Sequence, residues 1–356
     1  KRSQNVSIGL KKIKLSGDAI CEALNNFKSS VLTQERLQII KSAQMLPTQE
    51  ESKIIGGYRG DLTKLGDAEQ FFRKIVDSVH RPEIHLDAML FRAEYDERLL
   101  ELKGKVDLVR QACTSVRDSE SLQKVFQIVL LVGNKINAEG SSSIQGFTVA
   151  SLLKLSQTKS FNRKTTILDF IAQFAVKRIP EVLEVDKELE ILGRAKRFSF
   201  AIFEADESGL HMGYQSILRA TKQTESQVTS GLEDLFTFSN HVQNSLSCLE
   251  ADMDQMRAEY AALLEFFCEE PDLSVQDFFA TLDTFLKSFG VTARNFDEKR
   301  RRQQSRERAE RERSLKRSES VGSGMLRRSS MEQSQLKMTP KSKSFKNSSS
   351  PRILSP

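Results

Sequence analysis

The four histidines and four cysteines are the side chains of this sequence best suited to metal binding or nucleophilic chemistry. They are scattered along 356 residues, and the histidines do not form metal-ligand spacing with the cysteines. We also find no Gly-x-x-x-x-Gly-Lys-Ser/Thr phosphate loop and no strand-to-helix turn for a nucleophile. We therefore predict a protein that is not an enzyme, needs no cofactor and keeps reduced thiols. The residues are His80, His85, His211, His241, Cys21, Cys113, Cys248 and Cys268.

Composition indicates a large helical protein of the cytoplasm. With 38% hydrophobic residues the chain can bury a sizeable core, and no apolar run approaches the roughly 20 residues that span a bilayer. The start at Lys1 is not followed by a charged and then apolar leader, so we expect no secretory signal. The absence of an initiating Met suggests a fragment of a longer protein.

Positive charge is concentrated at the C-terminal end. From Asp297 onward 17 Lys and Arg accompany 7 Asp and Glu, whereas the preceding residues carry 37 basic and 41 acidic side chains. Such an apolar-poor stretch cannot bury enough surface to offset its ordering entropy, so we expect a flexible tail or at most a solvated helix. Its natural targets would be acidic partners, such as a filament, an anionic membrane or nucleic acid. Nonspecific solubility is the simpler role.

Capping patterns divide the N-terminal part of the chain into short helices. Ser16 is a typical N-cap for a helix with an apolar face, and Thr48 with Glu51 matches a capping box. Asp67 with Gln70 repeats that pattern before a second apolar stripe. The apolar faces predicted for these helices are Ala19, Ile20, Ala23, Leu24 and Phe27; Leu37, Ile40, Ala43 and Leu46; and Phe71, Phe72, Ile75, Val76 and Val79.

Prolines mark further helix boundaries. Pro47 should end one helix, Pro82 suits the first turn of the next, and Pro180 should stop a later one. No stretch alternates polar and apolar residues between hairpin turns, so the sequence predicts an all-α fold without a sheet.

Residues 231–267 carry the most regular pattern, with steps of three and four that are typical of a coiled-coil seam. The partner could be another subunit, but an intrachain helix around 187–225 is the favoured choice. Pro271 then interrupts the chain, and Ser274 begins a Phe-rich helix. The seam consists of Leu232, Leu235, Ser239, Val242, Leu246, Leu249, Met253, Met256, Tyr260, Leu263 and Phe267.

Residues 122–174 combine two helical stripes with a loop rich in glycine and serine. The first stripe should end at Gly133, because glycine tolerates the left-handed conformation of a helix C-terminus. Asn134 and Asn137 can then build a turn before a surface loop over 140–146. The stripes are Leu122, Val125, Phe126, Val129 and Leu130, and Ile167, Phe170, Ile171 and Phe174.

The same segment resembles the formin homology 2 domain, which binds actin. Five motifs follow one another in the order found in that family: GNKIN at 133–137, GF at 146–147, LLKL at 152–155, TKS at 158–160 and KTTIL at 164–168. The resemblance covers residues 1–296. It implies an elongated all-α fold with a knob, a coiled-coil helical bundle and a post.

The resemblance also implies a lasso pocket on the post. Gly133, Asn134, Asn137, Gly146 and Phe147 stand at the matching positions. Lys135 and Ile136 replace the usual aromatic residue and Met, which puts the lining of this pocket in question.

Two actin contacts are implied by position. The segment KRSQNVSIGL at 1–10 is similar to the start of the formin knob and places Ile8 where the family docks an isoleucine on actin. Lys164 matches a second, basic contact. Without the resemblance, Ile8 would be expected in the core and Lys164 would simply be solvated.

The family further implies nucleation of linear actin filaments and processive association with the barbed end as a dimer. Dimers close through an N-terminal lasso that bears Trp, and this sequence has no Trp, so we expect this chain to lack the lasso and not to close a ring. Profilin-actin would bind through an upstream Pro-rich region.

We assign 1–296 to the domain and 297–356 to a disordered basic tail. With actin as the partner, we do not expect nucleic acid to be bound. The alternative is a noncatalytic helical adaptor that binds microtubules or anionic membrane through the tail.

Overall fold

The computed structural model describes residues 1–137, 145–159, 165–224 and 231–335, with side chains described as far as Ser314. Within these ranges the chain is all-α as predicted, and its only β-type pairing is one antiparallel bridge between Lys159 and Thr166. The helices are α1 (Arg2–Ile13), α2 (Gly17–Asn25), α3 (Gln34–Ser42), α4 (Gln49–Gly57), α5 (Asp67–Ser78), α6 (Pro82–Asp118), α7 (Glu120–Asn137), α8 (Leu152–Gln157), α9 (Ile167–Arg178), α10 (Val185–Glu188), α11 (Leu192–Ala195), α12 (Phe200–Thr224), α13 (Leu232–Phe266) and α14 (Val275–Gln335).

Two compact units divide the chain. The first spans Lys1–Ala293 and the second begins at Arg294. No helix in the described ranges is long and apolar enough to cross a membrane.

The predicted caps of α2 and α4 are confirmed. The Ser16 hydroxyl accepts a hydrogen bond from the Ala19 backbone N–H at 3.1 Å. Thr48 and Glu51 exchange both bonds of the capping box. These contacts satisfy N–H groups that no helix can pair internally, which is why the sequence alone located both helix starts.

Two other boundaries differ from the sequence prediction. Asp67 is already helical and Gly66 is the N-cap of α5, while the Gln70 side chain donates instead to the Leu65 carbonyl at 2.8 Å. The helix before Pro47 ends early, at Ser42, because the chain turns through a left-handed Gln44. This turn buries Met45 and leaves Leu46 partly exposed.

Three long helices, α6, α12 and α13, form one bundle within the first unit. The predicted seam of α13 is buried from Leu235 to Leu263, and its intrachain partner α12 lies in the stretch that the sequence favoured. The second partner of α13 is α6. The sequence predicted only the start of this helix, at Pro82, and not its place in the bundle. Its 37 residues pack against both other helices. At Gly213 of α12 an added Cβ would lie 2.0 Å from the Phe91 ring, so only glycine permits this approach to α6.

Helix α14 closes the core of the first unit with its phenylalanines. Phe278, Phe279, Leu282, Phe285 and Phe289 are all buried, as the sequence predicted. The Ser274 hydroxyl accepts from the Asp277 N–H at 3.0 Å and caps the helix.

The second unit continues α14 to Gln335. Every residue from 298 to 314 is exposed, so this part of the basic tail takes the solvated helical form that the sequence allowed. Pairs spaced i,i+4 support the helix, including Asp297 with Arg301 at 2.7 Å. Residues 336–356 lie outside the described part of the chain.

Asp283 of α14 is a buried carboxylate held by two lysines. It is only 3% exposed, and it pairs with Lys196 at 2.7 Å and with Lys287 at 2.9 Å. Burial alone would raise the pKa of Asp283, but hydrogen bonds from the two ammonium groups outweigh it and hold the pKa below the usual Asp value. Its charged form therefore stabilises the fold above the pKa of an unfolded Asp, and that stability is lost as pH falls through the folded pKa.

We predict that Asp283→Asn lowers the free energy of unfolding at neutral pH by about 1–3 kcal/mol, because the amide cannot replace two charge-assisted hydrogen bonds. The difference from the parent should shrink as pH falls below about 4, where the parent loses the same interaction. Urea unfolding at several pH values measures both. Asp254→Asn is the matched control, since Asp254 forms an exposed pair with Arg257 at 3.0 Å. A difference that is independent of pH would contradict the assignment.

Candidate functional site

Helix α1 is fixed to the body of the first unit by Arg2. The guanidinium donates to the Leu46 carbonyl at 2.8 Å, pairs with Glu51 at 2.8 Å and lies 5.8 Å from the centre of the Phe72 ring. On the next turns Val6 and Ile13 are buried, and Gly9 permits contact with Met45. One face of α1 is therefore fully committed to packing.

Ile8 lies outside that packed face, with 46% of its surface exposed. Its neighbours at i−4, i−3, i+3 and i+4 are exposed polar or basic residues, namely Gln4, Asn5, Lys11 and Lys12. The structure thus gives a single apolar side chain, on a helix held from behind, within a polar and positively charged surround. This geometry suits an anchor that enters an apolar cavity on an acidic partner.

Lys164 lies outside the described residues, and its contact with a partner stays a prediction. The residues on either side of this segment are joined by backbone pairing. The bridge between Lys159 and Thr166 is reinforced by a hydrogen bond from the Ile167 N–H to the Thr158 carbonyl at 3.0 Å. Thr166 and Asp169 then form a capping box at the start of α9.

Four of the five predicted lasso-pocket residues lie together between α7 and α8, and the side chain of the fifth, Asn137, lies outside the described part of the chain. Gly133, Asn134, Gly146 and Phe147 line one cavity of about 170 Å³. Phe147 packs edge-on against Phe126, with ring centres 5.3 Å apart. The remaining walls are apolar apart from one serine, so the cavity can accept a hydrophobic side chain. They are formed by Val129, Leu130, Ser151, Leu152 and Leu155.

Gly133 does not end its helix, contrary to the sequence prediction. Helix α7 continues to Asn137, and none of the described glycines has a positive φ. A Cβ at Gly133 would meet no atom within 4 Å, and Gly133 is one of the residues that line the cavity. The glycine therefore lies within the helix and does not cap it, and Asn134 is helical and not part of a turn. Asn137, for which a turn was predicted, is likewise helical and is the last residue of α7. Its side chain lies outside the described part of the structure.

The two residues that differ from the family motif, Lys135 and Ile136, do not line the pocket between α7 and α8. Lys135 is exposed, Ile136 is 56% exposed, and neither is among the residues that line the cavity. Their substitution therefore changes the outer surface of α7 and leaves the lining intact.

Phe170 is a surface residue that the sequence pattern misplaced. The buried face of α9 is Leu168, Ile171, Ala172, Ala175 and Val176, whereas Phe170 is 57% exposed. Nearly every residue here is apolar, so periodicity could not choose between neighbouring faces. The capping box at Thr166 fixes the helix start, but only packing against α7 and α8 selects the inner face.

Comparison with known proteins identifies the class. A family model described as Formin Homology 2 Domain matches residues 1–290. The chain belongs to this family.

Its relatives include Disheveled-associated activator of morphogenesis 2 of Homo sapiens, with 26% identity over 319 residues that cover 86% of this chain and 29% of the relative. Protein diaphanous homolog 3 of Rattus norvegicus is 29% identical over 298 residues, 81% of this chain and 25% of the relative. Formin-like protein 13 of Arabidopsis thaliana is 25% identical over 298 residues, 81% of this chain and 23% of the relative. The chain therefore spans between 23% and 29% of the length of these proteins.

The helical conformation of Gly133 gives a prediction with a definite sign. Gly133→Ala should raise the free energy of unfolding by about 0.5–1 kcal/mol, because alanine loses less backbone entropy on entering a helix and its Cβ meets open space. A left-handed cap would instead be destabilised by the same change. Urea unfolding distinguishes the two. Gly104→Ala in the middle of α6, where a Cβ is equally free, is the positive control.

Proposed function

We propose that this chain binds actin and promotes the assembly of linear filaments, and that its full-length parent acts as a homodimer that follows the growing barbed end. Membership of the formin homology 2 family supports the choice of actin. The observation that carries the proposal to particular residues is Ile8, an exposed apolar side chain on a helix whose opposite face is buried.

The mechanism requires no covalent chemistry. Small actin oligomers are unstable, so a scaffold that holds two subunits in filament-like positions lowers the entropic barrier to nucleation. Such a scaffold must be rigid. The bundle of α6, α12 and α13 supplies that rigidity, since its long helices share a continuous buried seam.

Ile8 and Lys164 would divide the work of recognition. An apolar anchor gains free energy when it is removed from water, and a basic side chain provides orientation and a salt-dependent rate of encounter. The basic surround of Ile8, with Lys11 and Lys12 exposed, would add to this steering toward an acidic filament surface.

Dimerisation would use the pocket between α7 and α8. Its volume of about 170 Å³ and apolar lining fit a large side chain from the lasso of a second subunit. Profilin-actin would reach the site through a Pro-rich region of the parent protein. The cytoplasm, in association with the actin cytoskeleton, is the location that follows from these partners.

We predict that Ile8→Ala and Lys164→Asp each weaken barbed-end binding by about 1–4 kcal/mol, or roughly five-fold to a thousand-fold. Pyrene-actin nucleation and seeded elongation assays measure the loss. Ile54→Ala and Lys177→Asp are the matched controls, because both residues are exposed on other helices of the first unit. Helical circular dichroism should be unchanged in all four variants.

Two outcomes would contradict different parts of the proposal. Binding that survives both substitutions in a folded protein would refute the assignment of these residues. Failure of the unsubstituted chain to bind actin in any form would refute the function itself.

A second role for the tail is favoured by its exposure. Over residues 298–314 it carries 8 basic and 4 acidic side chains, all exposed on a helix. Such a surface would bind acidic polymers or anionic membrane, which is the activity of the adaptor alternative.

We predict that removal of residues 298–356 reduces cosedimentation with filament sides and leaves Ile8-dependent barbed-end binding in place. Cosedimentation with actin filaments, microtubules and anionic vesicles at low and moderate salt measures the effect, and tail binding should fall steeply as salt is added. Binding of the intact chain to microtubules or vesicles but not to actin would support the adaptor.

A further inference from the structure

Glu207, His211 and Glu250 converge at the edge of the bundle where α12 meets α13. Glu207 and His211 are four residues apart, so both project from one face of α12. Across the interface, His211 Nε2 lies 3.1 Å from Glu250 Oε1. One ligand atom from each of the three side chains lies within 4.8 Å of the other two. Two carboxylates and one imidazole can therefore reach a common point.

The spacing suits a small transition-metal ion. Zinc binds imidazole nitrogen and carboxylate oxygen at about 2.0–2.2 Å, which places neighbouring ligands of a tetrahedral site about 3.4 Å apart. His211 and Glu250 already have nearly that separation. Glu207 is half-buried and has a flexible side chain, and its carboxylate would move closer to the other two ligands to complete the set. The imidazole favours zinc over magnesium or calcium, which prefer ligand sets of oxygen alone.

Charge distinguishes this cluster from its neighbour along the same interface. One turn away, Glu204 pairs with Arg257 at 3.5 Å. Within the described part of the chain, neither Glu207 nor Glu250 forms an ion pair with lysine or arginine. Glu250 pairs with His211, and a single imidazole carries at most one positive charge against two carboxylates. A divalent cation would balance both.

We propose that Glu207, His211 and Glu250 form a binding site for a divalent transition-metal ion, Zn²⁺, with water in the remaining coordination positions. Bound metal would link α12 to α13 and so stabilise the bundle. None of these three residues belongs to the proposed actin contacts or to the pocket between α7 and α8, and the site goes beyond the proposed role in actin assembly.

Isothermal titration of the chelator-treated full chain with ZnCl₂ tests the proposal. Cys248 and Cys268 are exposed thiols that could bind zinc themselves, so the titration uses the Cys248→Ser, Cys268→Ser background. We expect one Zn²⁺ per chain and a rise in the unfolding temperature with zinc concentration. His211→Gln and Glu250→Gln should each weaken binding by about ten-fold or more.

His241→Gln is the matched control, because His241 is an exposed histidine of α13 outside the cluster. It should bind zinc as the background does and show the same thermal shift. Absence of saturable one-to-one binding in the background would overturn the proposal. So would equal zinc affinity in His211→Gln and in the background. Neither result involves actin, so the proposed function is tested independently.

Discussion

Mutual burial of the apolar stripes of α6, α12 and α13 is the constraint on which the rest of the first unit depends. Each buried side chain removes apolar surface from water, and the stripes run the length of helices that would be marginal alone. Polar contacts at the edge of the bundle add to this packing. Here Arg110 of α6 makes three hydrogen bonds to the Glu259 carboxylate of α13, at 2.9–3.2 Å. These bonds lower the pKa of Glu259 and favour the observed register of the two helices.

Ile8 and the pocket between α7 and α8 can remain exposed because the residues behind them are held by packing and hydrogen bonds. Ile8 can face solvent since Arg2, Val6 and Gly9 hold the other side of α1. The pocket between α7 and α8 is lined by a glycine of α7, Gly133, and by Phe147, which is held against Phe126. In both places the chain accepts the cost of exposed apolar surface or of a helical glycine. Costs of this kind are usual where a surface binds a partner.

Local rules predicted the helix starts that rest on local hydrogen bonds, such as Ser16, Thr48 and Ser274, and the long seam of α13. These local rules failed where the same residues were compatible with two different local structures. Asp67 can cap a helix or begin one, and Gly133 can end a helix or lie within it. Phe170 belongs to a helix with apolar residues on several faces. The four predicted residues that line the pocket, and Ile8, were assigned from family motifs, and no composition or spacing rule would have given them these roles.

The sequence by itself determined the all-α class, the main caps, the apolar stripe of α13 and the basic character of the tail, because each depends on residues close together along the chain. Only the tertiary structure decided which faces are covered. It showed that α6 is the second partner of α13, that Gly133 lines a cavity, and that His211 meets two glutamates from α12 and α13. These results depend on contacts between residues far apart in sequence. Such contacts are chosen by the packing of the whole core, and no local pattern records them.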